Sequence, residues 1–107
     1  MLTIQENNIK DFSEIFPICM IYIVSPNCPA CESAKETLEA LSRRHPEVPM
    51  RTISIFDAEN LATSIGVSAV PYTVVFQNGE YIGGGASSNP EALDVLVSCL
   101  KQEEGML

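Results

Sequence analysis

Basic side chains are scarce in this chain: six Lys and Arg stand against fourteen Asp and Glu, for a formal net charge of −8. That balance repels phosphate backbones and anionic membranes, so neither nucleic acid nor a membrane is an expected partner; otherwise the acidity serves solubility. Histidine occurs once, as His45, and the four cysteines include a single close pair, Cys28 and Cys31, with Cys19 and Cys99 scattered. Zinc needs four ligands and usually brings a second close pair, so no metal site is expected. Nor does the chain resemble a small secreted disulfide scaffold, which points to a reducing compartment and a cytoplasmic location. No run approaches the roughly 18 apolar residues of a membrane span, and residues 1–10 lack the charged start, apolar core and cleavage site of a leader. Repeats, low-complexity tracts and linker-like stretches are absent too. At 107 residues the chain can bury about two thirds of its unfolded surface, so one domain spanning residues 1–107, monomeric and without staples, is expected.

What is present is organised around Val24-Ser25-Pro26-Asn27-Cys28-Pro29-Ala30-Cys31. Residues 17–24 are short and almost wholly apolar, the pattern of a strand buried on both faces. Pro29 suits the first turn of a helix, where its missing N–H costs nothing. Cys28 therefore falls at a helix N-terminus, where orphan amides and the helix dipole favour a thiolate and lower its pKa from the roughly 8.5 of a free cysteine. Cys31, one turn on, lies on the same side and can trap what Cys28 attacks. Strand, Cys-x-x-Cys and helix in a βαβ setting read as a thiol–disulfide redox site.

In chain order, residues 2–5 form a short edge strand, and Ile9, Phe12, Ile15 and Phe16 recur at helical spacing until Pro17 ends the helix. After the central strand, the helix from Pro29 buries Ala34, Leu38 and Leu41, and Pro46 closes it. Residues 50–56 read as a strand with Ile53 and Ile55 in alternation. Residues 57–65 hold a helix capped by Asp57, with Leu61 and Ile65 as its buried pair and Gly66 as its stop. Asn78-Gly79 between residues 72–77 and 80–82 signals a two-residue hairpin, so the last two strands are antiparallel. Gly83-Gly84-Gly85 permits close backbone approach. Ser88 or Asn89 caps a final helix that opens on Pro90 and buries Leu93, Leu96, Val97 and Leu100. Residues 103–107 fray. The class is α/β, a central mixed β-sheet flanked by helices on both faces. His45 reads as an imidazolium at a helix end, Tyr22 as core, Cys19 as an inert buried thiol, Cys99 as half exposed on the flank of the last helix, and Glu32 as a solvated carboxylate.

The Cys28-Pro29-Ala30-Cys31 motif, the β–α unit before it, and Asp57 followed by Ile65-Gly66-Val67 and Val70-Pro71 resemble the thioredoxin-like superfamily, and thioredoxins in particular. Asn78-Gly79-Glu80-Tyr81-Ile82-Gly83-Gly84 resembles instead the glutaredoxin pattern, in which paired glycines contact glutathione. The resemblance implies the thioredoxin fold across nearly the whole chain and makes Val70-Pro71 a cis-proline facing the cysteines. Three positions depart from it. Asn27 stands where thioredoxins carry a Trp, Tyr22 where they bury an Asp, and Ser25 where glutaredoxins carry a glutathione-binding Lys.

The function implied is a thiol–disulfide oxidoreductase that reduces protein disulfides, with Cys28 as nucleophile and Cys31 as resolving thiol. Asn27, Pro29, Ala30, Val70, Pro71 and Gly84 would line a mostly apolar groove for an extended substrate strand. The expected partners are disulfide-containing proteins and, as reductant, a thioredoxin-reductase-type enzyme or glutathione. No bound cofactor is required beyond the Cys28–Cys31 disulfide. Three alternatives accompany this reading. One is a glutaredoxin-type enzyme using glutathione as co-substrate, with Ser87 or Ser88 at its γ-glutamyl end; the second is an iron–sulfur cluster shared between two chains; the third is a docking module that binds partners without turnover.

Overall fold

The computed structural model describes residues 1–85 and 89–106. Five strands, β1 (Leu2–Thr3), β2 (Ile18–Val24), β3 (Met50–Ser54), β4 (Tyr72–Gln77) and β5 (Glu80–Gly85), form one sheet in the order β1-β3-β2-β4-β5. β1 and β2 run parallel to β3, whereas β4 is antiparallel to both β2 and β5, so the sheet is mixed. Among the described residues, four α-helices, α1 (Ile9–Ile15), α2 (Pro29–Arg44), α3 (Glu59–Ile65) and α4 (Pro90–Glu103), complete the α/β thioredoxin fold.

β2 explains why its sequence is apolar without alternation. Ile18, Met20 and Tyr22 join one core cluster with Ala34, Leu38 and Leu41 of α2 and Leu93, Val97 and Leu100 of α4. Cys19, Ile21 and Ile23 join a second cluster with Ile9 and Phe12 of α1 and Ala58. Successive side chains point to opposite faces of a strand, and here both faces are covered by helices. Truncating Ile21, which is fully buried, to alanine should cost about 2–5 kcal/mol.

Local chemistry sets the boundaries, and in several places it departs from the sequence reading. β3 ends at Ser54 rather than running to residue 56, because the Ser54 hydroxyl accepts the Phe56 amide and turns Ile55–Asp57 into a 3-10 helix, leaving Phe56 72% exposed. That turn takes up Asp57, so Asp57 does not cap α3. The N-cap position is Ala58, and the cap comes from far away in sequence: Glu6 accepts the Leu61 amide at 3.0 Å and the Asn60 side chain at 3.2 Å. In α3 the buried residue is Ala62, with Leu61 and Ile65 half-buried. Gly66 does end the helix, at φ +73°. In α1 the inward stripe is Ile9, Phe12, Ser13 and Phe16, at spacings of three and four, which leaves Ile15 on the opposite side and 70% exposed.

α4 is capped by Asn89, whose side chain accepts the amides of Glu91 and Ala92 at 3.0 and 3.2 Å. Its stripe is Leu93, Val97, Leu100 and the buried Lys101, with Leu96 only half-buried and Cys99 exposed. His45 is the C-cap residue of α2, as its place before Pro46 suggests, and its ring lies between Lys101 and Asp94. The ring is buried, Lys101 Nζ lies 3.2 Å from Nδ1, and Asp94 Oδ1 lies 2.6 Å from Nε2. An ammonium only donates, so Nδ1 accepts and Nε2–H donates to Asp94. Lys101 also pairs with Glu47, and the four side chains clasp the end of α2 to α4. Asn78 and Gly79, at φ +50° and +85°, make the expected hairpin turn.

Candidate functional site

The two cysteines sit where β2 ends and α2 begins. Asn27 takes a left-handed φ of +56°, a conformation asparagine tolerates better than most residues, and this turn brings Cys28 to the N-cap of α2. The Cys28 sulfur accepts the Cys31 amide at 3.1 Å, and the Cys28 carbonyl accepts the amides of Cys31 and Glu32 at 3.1 and 3.2 Å. A helix N-terminus is thus aimed at one sulfur. Cys28 and Cys31 form a disulfide with a Cα–Cα distance of 5.2 Å. Cys28 is half-buried and Cys31 buried, at 5% exposure, so an approaching molecule meets Cys28 first.

Pro29 and Ala30 are exposed in the first turn of α2. Val70 is half-buried, Pro71 is buried, and the peptide bond between them is cis. Sheet register brings these segments to one end of the molecule. Ile23 pairs with Tyr72, so the chain leaves β2 toward Cys28 at the end where it enters β4 from Pro71; Gly84 and Gly85 pair with Val74 and Thr73 at that same end. Gly84 has a reason within the fold: a Cβ there would overlap the Thr73 carbonyl oxygen and sit 3.1 Å from the Tyr72 ring, whereas a Cβ on Gly83 meets nothing. Ser87 and Ser88 lie outside the described residues.

Tyr22 carries a contact that the sequence does not reveal. It is buried, and its hydroxyl donates to the Cys31 carbonyl at 2.9 Å, tying the central strand to the first turn of α2. Burial, and secondarily the negative charge of Glu32, push its pKa up, so it stays a neutral donor. Behind Cys31 lies a cavity of about 250 Å³ whose walls include Tyr22, Cys31, Glu32, Lys35 and Thr52. The other thiols stand apart: Cys19 is buried and its pKa raised to about 12 by desolvation, and Cys99 is exposed. Among the described residues no group of three or more His, Cys, Asp or Glu could hold a metal, and no helix is long and apolar enough to cross a membrane.

A curated relative, the thioredoxin of Methanocaldococcus jannaschii, is 33% identical over 60 residues, covering 55% of this chain and 71% of the relative. The chain belongs to the thioredoxin family. No protein-family model matches it. Solved thioredoxins share the fold: mitochondrial thioredoxin 3 of Saccharomyces cerevisiae in its oxidised form superposes with a TM-score of 0.83 at 20% identity, covering 92% of this chain and 94% of that one. A mutant thioredoxin of Halobacterium salinarum gives 0.82 at 21% identity, covering 92% and 88%. Membership in the thioredoxin family, with the Cys28–Cys31 disulfide, supports thiol–disulfide oxidoreductase chemistry in general.

Proposed function

We propose that this protein is a thioredoxin-type dithiol–disulfide oxidoreductase, a single domain that reduces protein disulfides. The carrying observation is the asymmetry of the pair: Cys28 is the more accessible and has the Cys31 amide on its sulfur, while Cys31 is buried one turn behind. The Cys28 thiolate attacks a substrate disulfide, forming a Cys28–substrate bond and releasing the first substrate thiolate. The Cys31 thiolate then attacks Cys28 Sγ, the Cys28–substrate bond breaks, and the second substrate thiolate leaves. Both leaving thiolates take protons from solvent. Substrate gains two electrons and the dithiol loses them as the Cys28–Cys31 disulfide. Asn27, Pro29, Ala30, Val70, Pro71 and Gly84 border the extended substrate segment, and a thioredoxin-reductase-type enzyme or glutathione restores the dithiol in a reducing, cytoplasmic setting.

A glutaredoxin-type activity on glutathione mixed disulfides is the second reading, and Gly83-Gly84 is the feature that favours it. Its weight is reduced because Gly84 is required by the approach of Thr73 whether or not a ligand binds. Two assays separate the readings: insulin reduction driven by dithiothreitol, and a glutathione-coupled assay on a low-molecular-weight disulfide. The proposal expects turnover in the first, abolished by Cys28→Ser. Turnover in the second alone makes the protein a glutaredoxin type, and failure in both leaves a docking module.

A further inference from the structure

Two of the three tyrosines meet on the face of the sheet away from α2 and α4, and the dithiol chemistry uses neither. Tyr72 opens β4 and packs against the cluster that contains Ile9, Phe12 and Phe76. Tyr81, in β5, lies opposite Phe76 and meets its ring edge-on, with centroids 6.5 Å apart. The two phenols lean toward each other along the hairpin until their hydroxyls are 3.4 Å apart. Gly84 leaves room for this: it pairs with Val74, between Tyr72 and Phe76 in β4, and a Cβ on it would stand 3.1 Å from the Tyr72 ring. The pair is open to solvent, Tyr81 being 42% exposed and Tyr72 half-buried. Its hydrogen bond to Tyr72, and secondarily burial, hold Tyr81 above the usual phenol pKa, so it meets an oxidant as the neutral phenol. The third tyrosine, Tyr22, is buried in the opposite cluster with its hydroxyl committed to the Cys31 carbonyl.

A phenol that loses one electron and its hydroxyl proton becomes a radical whose unpaired electron is shared with the ring carbons ortho to oxygen, and two such radicals couple when they are held together. From this contact we infer that Tyr72 and Tyr81 form a modification site for one-electron oxidants, which join them into an intramolecular dityrosine that staples β4 to β5. Each ring gives up one electron and one proton, and a carbon–carbon bond forms between an ortho carbon of each. The hydrogen on each coupled carbon then moves to the neighbouring oxygen, which restores both phenols. With hydrogen peroxide as the oxidant, acting through a haem peroxidase, the two electrons and two protons leave as two waters. The staple begins one residue after Pro71, so it ties one border of the substrate groove to β5.

The test is made on the full chain in a Cys99→Ser background, with Cys28 and Cys31 kept as their disulfide so that no accessible thiol reduces the phenoxyl radicals. The dilute protein is treated with a haem peroxidase and hydrogen peroxide, and monomer is separated from covalent dimer by size under denaturing conditions. The monomer should carry dityrosine fluorescence, and its digest should contain one crosslinked pair of peptides, bearing Tyr72 and Tyr81 and lighter than their sum by two hydrogens. Tyr72→Phe and Tyr81→Phe each remove a hydroxyl and leave the ring in place, and each should abolish the fluorescence of the monomer. Tyr81→Phe should also diminish the covalent dimer, since Tyr81 is the most exposed of the phenols. Dityrosine confined to the covalent dimer, a monomer crosslink that survives either substitution, or one that maps to Tyr22 would overturn the assignment.

Discussion

Gly84 has no Cβ because the backbone of β4 occupies the space one would fill, close to a register shift between Val75 and Phe76. Gly84→Ala must therefore displace β5 or Thr73 and should cost more than about 2 kcal/mol, while Gly83→Ala, with open space around it, should cost under about 1 kcal/mol. Urea unfolding of the two variants checks the difference; equal losses would mean that the strand pairing is wrong. The same residue shows how far a sequence can be read at this scale. Three consecutive glycines announce a close approach, but whether a ligand or the neighbouring strand approaches depends on register, which is a property of β4 and β5 together. Tyr22 is similar: its burial follows from an apolar strand, whereas its bond to the Cys31 carbonyl depends on how far α2 starts above the sheet.

Helix ends decide much of the architecture, and two of them are held by residues distant in sequence. The α3 amide at Leu61 bonds to Glu6, so Glu6→Ala should destabilise the protein by about 1 kcal/mol, the typical worth of a cap, and Asp57→Ala should have a smaller effect because Asp57 does not cap that helix. Thermal or urea unfolding measures both. At the opposite end of α2, the Asp94 carboxyl is held below its usual range by its hydrogen bond to His45, and that of Glu47 by its hydrogen bond to Lys101. A carboxylate whose pKa is depressed on folding stabilises the protein fully above its unfolded value, and that contribution is lost as pH falls through the folded value. Stability should thus be level above about pH 5 and drop below about pH 4. Lys101→Met should flatten that acid limb; an unchanged limb in urea titrations would remove the clasp from the account. Periodicity and turn chemistry foretell α2, α4 and the Asn78-Gly79 hairpin because those signals are local. Glu6 and Lys101 carry no signal of their own in the sequence, and His45 reads as an ordinary helix-end residue, because their partners are 49 to 56 positions away, and no spacing rule reaches that far.

The whole molecule is a sheet, its central strands β2 and β4 buried, that holds one strand–helix junction and one cis Val70–Pro71 segment at the same end. The junction is legible in the sequence, since a two-sided apolar strand, Cys-x-x-Cys and a proline at the helix start each carry a mechanism and agree with one another; the cis bond is what the family resemblance implies. What is not legible is the space behind Cys31, which is made by β1, β2, β3 and α2 together. With no cation or histidine between the cysteines, only Pro29 and Ala30, the pair should have a reduction potential between about −270 and about −200 mV rather than that of a strong oxidant. The most direct measurement of the central claim traps the chemistry on the protein. Cys31→Ser, reduced and mixed with insulin, is separated without reductant and mapped by mass spectrometry. A disulfide between Cys28 and an insulin cysteine should accumulate and be absent when Cys28 is also changed to Ser. An adduct on Cys99 alone, or none, would contradict the assignment of Cys28 as the nucleophile.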